Sequence, residues 1–265
     1  MSPPPGSPAR CLVDLSAHER LRGGAPASDP RLRVLCCPPA GAAAGYWRFL
    51  TRDDVHVLGL QYPGRESRFR EPAAGSVPAL AEEAATAVAT APWAHSGVPL
   101  VVLGHSMGAA VAAELASRLE HRHAIRTALL ALSGRAAPGD DGRRPPAADG
   151  SPDLDSDEAL VRWLRRLGGT PEAVLADPEL LALQLPVLRA DLGLAAAHDR
   201  LPAPVRAPLL LLRGTEDGTV DPAGLAAWRA VGSGPAHVRE YPGGHHPLAA
   251  HRDRLLADLA ACAAT

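Results

Sequence analysis

Ser106 stands in Gly104-His105-Ser106-Met107-Gly108, directly after the apolar run 98–103 and before the helix-forming stretch 109–119. A strand–turn–helix of this kind lifts a hydroxyl out of a sheet, and glycines flank it where a Cβ would collide with the neighbouring element. The chemistry that suits such a serine is attack on an acyl carbon, followed by hydrolysis of the acyl-enzyme. The backbone N–H of Met107, at a helix start where amide donors lack partners, is positioned to hold the oxyanion. His105 reads as a packing residue rather than a base.

A serine nucleophile needs a base, and the base needs an orienting carboxylate, in the chain order serine, acid, histidine. The run 208–212 leads into Arg213-Gly214-Thr215-Glu216-Asp217, which sets carboxylates just past the C-terminal end of a strand. Asp217 is the expected acid, with Glu216 and Asp221 as alternatives. Farther on, Pro242-Gly243-Gly244-His245-His246-Pro247 puts histidines on a glycine-rich loop after 238–241. His245 is the expected base and His246 the alternative, since imidazole can take and return a proton near neutral pH. A second oxyanion donor is expected from Pro38-Pro39-Ala40-Gly41-Ala42, the loop after the first core strand. Proline has no N–H to give, so Ala40 is the candidate.

These side chains need a rigid frame. Residues 33–37, 55–60, 98–103, 128–132 and 208–212 are short continuous apolar runs, the pattern of strands buried on both faces. Strong helix formers fill 78–91 and 109–119. The alternation predicts an α/β fold, with a mostly parallel central sheet and helices on both faces. Residues 138–152 break the rhythm, and helical segments near 157–167 and 177–194 follow with no strand between them. That reads as a helical lid inserted at about 138–195 over the C-terminal ends of the strands, where open α/β sheets bind ligands. Residues 1–30, rich in Pro, Gly, Ser and Ala, read as a flexible leader to a single domain over 31–265.

Composition narrows the function classes. With 46% hydrophobic residues in 265, the chain can bury one sizeable core, and a net charge of −2 gives no reason to expect a nucleic-acid partner. All 27 basic residues are arginine, which reads as the bias of a GC-rich genome. The N-terminus has no basic flank ahead of an apolar core, and no run reaches the roughly 18 apolar residues of a membrane span. A soluble cytoplasmic protein is expected. Cys11, Cys36, Cys37 and Cys262 are too few and irregular for a disulfide framework and read as buried thiols. Neither a metal nor a cofactor is expected.

From about Arg33 to Arg252 the chain resembles the type II thioesterases, stand-alone editing partners of polyketide synthases and nonribosomal peptide synthetases. The resemblance is carried by Cys37-Pro38-Pro39-Ala40-Gly41, Tyr46-Trp47-Arg48, Gln61-Tyr62-Pro63-Gly64-Arg65-Glu66 and the serine motif extended to Ala109. It continues in Leu132-Ser133-Gly134-Arg135, Leu167-Gly168-Gly169-Thr170-Pro171, Leu188-Arg189-Ala190-Asp191 and Pro242-Gly243-Gly244-His245. Two positions depart from it. Pro39 stands where the family usually has histidine, and His246 where it usually has an aromatic residue.

The resemblance implies an α/β-hydrolase fold and hydrolysis of acyl thioesters from the phosphopantetheine arm of carrier proteins. Ser106 would attack, His245 oriented by Asp217 would relay the proton, and the Ala40 and Met107 N–H groups would hold the oxyanion. The lid would shape the acyl chamber and meet the carrier protein. Arg65, Arg135 and Arg189, in matched segments, read as structural salt-bridge residues. A product-releasing or medium-chain fatty acyl thioesterase, a small-ester hydrolase and a catalytically dead carrier-binding protein are the alternatives.

Overall fold

Seven strands form one sheet in the order β1-β3-β2-β4-β5-β6-β7 in the computed structural model, which describes residues 8–17, 30–139 and 151–264. They are β1 (Leu12–Asp14), β2 (Leu32–Cys37), β3 (Val55–Leu60), β4 (Leu100–His105), β5 (Leu129–Ser133), β6 (Leu209–Gly214) and β7 (Ala236–Tyr241). β1 runs antiparallel to β3 and all other pairs are parallel. The helices are α1 (Val77–Ala89), α2 (Met107–His123), α3 (Asp157–Leu167), α4 (Glu172–Leu175), α5 (Pro178–Ala197), α6 (Pro222–Ala226) and α7 (Arg252–Ala263).

The continuous apolar runs have a physical cause in this sheet. Every residue of β2, β3, β4 and β5 is buried, because helices cover both faces. Alternate residues go to opposite sides. Leu35, Cys37 and Val102 pack with α1 and α2. Val34, Cys36 and Leu103 pack with α7 and with Trp47, from the 3-10 segment Ala44–Leu50. The four cysteines are free and buried, as expected.

β4 starts two residues later than the apolar run and continues to His105, and β6 continues to Gly214. Both strands therefore run on to the turns that bear Ser106 and Asp217. The lid elements α3, α4 and α5 lie between β5 and β6 in the chain, with α3 and α5 where helical pattern was read and α4 added between them. Ser156 caps α3 by accepting from the Ala159 N–H at 3.2 Å. Asp177 caps α5 by accepting from the N–H groups of Glu179 and Leu180 at 2.9 and 3.1 Å. Residues 140–150 of the expected insertion lie outside the described residues.

Two expectations need correction. The leader is structured where it is described: Leu12 pairs with Leu60 and Val13 with Gly59, and Cys11 and Leu15 are buried. Three residues are too short a run to show periodicity, and the exposed edge of β3 supplies the pairing. Residues 1–7 and 18–29 lie outside the described residues. Second, α5 is a helix long and apolar enough to cross a membrane, with a mean hydropathy of 1.5 and 22% of that window buried. Here it packs Leu185 and Leu188 against Leu160 of α3.

Candidate active site

Ser106 sits at the junction of β4 and α2 with φ 54° and ψ −122°, a conformation that is strained for a residue with a Cβ. Backbone bonds hold it there. Its N–H donates to the Ser133 carbonyl at 2.8 Å, and its own carbonyl accepts from the Ala109 N–H at 2.9 Å. The flanking glycines are explained by contact distance. A Cβ on Gly108 would lie 2.1 Å from the Cys37 carbonyl oxygen, and one on Gly104 would lie 2.0 Å from that of Gly108.

Asp217 and His245 meet, as their loops predicted. Asp217 Oδ2 lies 2.9 Å from His245 Nδ1, and both residues are buried. Asp217 Oδ1 accepts from the Thr219 N–H at 3.0 Å and from its hydroxyl at 2.6 Å. Burial alone would raise the Asp217 carboxyl, but the bonds to His245 and Thr219 outweigh it and hold the group below the usual aspartate value. The two other carboxylates considered do not reach the imidazole pair. Glu216 is exposed, and Asp221 caps α6 by accepting from the Gly224 N–H at 2.6 Å.

His246 is committed elsewhere, with Nδ1 3.0 Å from the Tyr46 hydroxyl. Burial, with His245 beside it, pushes its imidazole down to about 4. His105 is fully buried, with Nδ1 3.0 Å from the Ser133 hydroxyl. Burial is also the main cause that pushes it well below the usual histidine range. It packs as expected, but with its ring centroid only 4.8 Å from that of His245.

The loop opposite Ser106 has only one amide to offer. Pro38 and Pro39 have none, the Ala42 N–H turns back to the Pro39 carbonyl at 3.2 Å, and the Gly41 N–H donates to Asp191 Oδ2 at 2.8 Å. Among the described residues the Ala40 N–H has no acceptor. Ala40, Ser106 and His245 line a single cavity of about 230 Å³, walled on the lid side by Trp163, Leu164 and Leu188. A larger hollow of about 610 Å³ between α3 and α5 contains none of these groups.

Three contributors were not singled out from the sequence: Thr219, Tyr46 and Asp191. Asp191 had a visible signal, an acid in the middle of a mostly apolar helix. Arg65 grips it with both terminal nitrogens, at 2.6 and 2.7 Å. Arg189 pairs with Asp157, and Arg135 donates to the Ala195 carbonyl at 2.7 Å, so all three singled-out arginines make structural bonds.

Residues 32–262 match the thioesterase domain family. The chain is 40% identical over 228 residues to thioesterase PikA5 of Streptomyces venezuelae, covering 84% of this chain and 78% of that one. Among solved structures, it is similar to the RedJ thioesterase from the prodiginine biosynthetic pathway of Streptomyces coelicolor. That likeness has a TM-score of 0.75 and 34% identity, over 90% of this chain and 95% of the other. The type II thioesterase BorB from the borrelidin biosynthetic cluster gives a TM-score of 0.76 at 31% identity, covering 95% of this chain and 97% of BorB.

Proposed function

Because the chain belongs to the thioesterase family and is a hydrolase of thioester bonds, we propose that it clears acyl groups from the phosphopantetheine arm of carrier proteins. The setting is polyketide or nonribosomal peptide assembly, in the cytoplasm, with the enzyme in an editing role. One observation supports the chemistry above the rest: Ser106, His245 and the unpartnered Ala40 N–H face one apolar-walled cavity beneath the lid. The biosynthetic thioesterases it resembles support the substrate class. A chamber of about 230 Å³, below the range of about 300–1,000 Å³ usual for drug-sized ligands, favours short acyl units.

In this reading Ser106 Oγ attacks the thioester carbonyl while His245 takes its proton. Nδ1 of His245 is bound to Asp217, so Nε2 is the nitrogen that accepts. The Ala40 and Met107 N–H groups hold the oxyanion of the tetrahedral intermediate. The intermediate collapses, the pantetheine sulfur leaves and receives the proton from His245. A water then loses its proton to His245 and attacks the acyl-serine, releasing the free acid and restoring Ser106. The Asp217 carboxylate stays ionised throughout and stabilises the imidazolium.

Turnover of an acyl-carrier protein against the matching simple ester tests the proposal. Preference for the carrier-bound thioester is expected, and much faster turnover of the simple ester would overturn it. A serine-directed fluorophosphonate should label the wild type and not Ser106→Ala, which should also lose hydrolysis.

A further inference from the structure

Three imidazoles meet where the mechanism uses one. His105, His245 and His246 each present a ring nitrogen, and these nitrogens lie within 4.8 Å of one another. The ring centroids are 4.8 Å apart for His105 and His245, 5.1 Å for His105 and His246, and 4.9 Å for His245 and His246.

The surroundings of the rings are compatible with those of metal ligands. A ligating histidine has its second nitrogen fixed by an oxygen partner, which sets the tautomer and ring orientation. All three rings have such a partner at Nδ1: the Ser133 hydroxyl for His105, the Asp217 carboxylate for His245 and the Tyr46 hydroxyl for His246. The other nitrogen of each is then the one available. For His105 that atom, Nε2, is buried with no hydrogen-bond partner among the described residues, an unfavourable arrangement when nothing satisfies it.

We propose that His105, His245 and His246 form a site for one zinc-class divalent ion, and that filling it switches the hydrolase off. Three nitrogens at about 2.1 Å from a tetrahedral zinc are roughly 3.4 Å apart, so small ring shifts would close the set, leaving a fourth position for water. A metal-bound His245 has no lone pair left for the Ser106 proton. The inhibition half of the proposal rests on reading His245 as the base, whereas the binding half does not.

Calorimetric titration of the full chain with zinc chloride, in a buffer that does not chelate, tests the binding. One ion per chain is expected, and Ser106→Ala should bind it as the wild type does. His246→Phe keeps a planar ring of similar size in the same space, so the fold should survive, and zinc affinity should fall by about 100-fold or more. The double variant His121→Ala, His123→Ala removes imidazoles outside the cluster and should bind as the wild type does. Fluorophosphonate labelling of the wild type should decline in step with zinc occupancy and return on adding a chelator. The absence of a stoichiometric site, or equal affinity in His246→Phe, would overturn the site. Full labelling of zinc-saturated protein would overturn the inhibition alone.

Discussion

The Asp191 carboxylate, on lid helix α5, accepts the Gly41 N–H of the oxyanion loop at 2.8 Å. Arg65, from the turn after β3, holds the same carboxylate with two bonds and donates to the Ala42 carbonyl at 3.0 Å. One buried ion pair thus ties together the lid, the loop that supplies the Ala40 N–H, and the sheet. It also leaves the Gly41 N–H engaged. If the Ala40 N–H holds the oxyanion, Asp191 links its position to that of α5.

Removing that carboxylate should damage stability and rate together. Asp191→Ala leaves Arg65 buried and unpaired, which costs about 3–5 kcal/mol. A loop displaced by about 1 Å can lose on the order of 100-fold in kcat. Asp191→Asn keeps an acceptor for Gly41 and should recover part of the kcat while remaining less stable than the wild type. Thermal melts and steady-state kinetics read both effects. An unchanged kcat in Asp191→Ala would remove the coupling.

The paired imidazole predicts a different signature at Asp217. Asn in its place would present an amide and favour the wrong tautomer of His245, with an expected loss of about 10⁴-fold in kcat. Thr219→Val removes one hydroxyl that donates to Asp217 Oδ1 and lies 3.0 Å from His245 Nδ1 but leaves the carboxylate, so a loss of no more than about tenfold is expected. Equal losses in the two variants would mean that Thr219 is as necessary as Asp217 for holding the ring.

Much of this site was legible because its determinants are local in sequence. Ser106 is announced by two glycines whose Cβ atoms would strike backbone oxygens, and Asp217 and His245 by their positions after β6 and β7. The frame was legible because strands buried on both faces must be apolar throughout. What stayed hidden is non-local. Leu12–Asp14 takes its conformation from an edge supplied by Leu58–Leu60, and no periodicity in three residues records that. Asp191 acquires its role from Gly41, 150 positions away. His105 stood out as a neighbour of the nucleophile, yet its proximity to His246 depends on how the β7 loop folds back.

The packing argument for Gly108 can be tested without any substrate. Gly108→Ala places a methyl 2.1 Å from the Cys37 carbonyl oxygen, and neither backbone can yield cheaply. The expected cost is about 1–3 kcal/mol or more, a fall in Tm of roughly 2–4 °C per kcal/mol in a domain of this size. Gly75→Ala is the control, because a Cβ there meets nothing within 4 Å. A melt of Gly108→Ala that overlays this control would contradict the steric account.

Acid should loosen the far end of the lid first. Glu114 on α2 lies 3.1 Å from Nε2 of His198, the residue that ends α5, and it also pairs with Arg118. Burial alone would raise this carboxyl, but its bonds to His198 and Arg118 prevail and hold it below the ordinary value of 4.5. A carboxylate depressed in the folded state contributes stability that is fully present above its unfolded value and is lost as pH falls through its folded value. The contribution should therefore be complete at pH 6 and decline below about pH 4.5. Glu114→Gln lacks the titrating group, so its Tm should start lower at pH 6 and fall less between pH 5 and pH 3 than that of the wild type. Protection factors of the amides along the last turn of α5, taken relative to the intrinsic exchange rate at each pH, should fall over the same interval in the wild type. Parallel Tm curves for the two proteins would show that Glu114 does not set the acid limit of the lid.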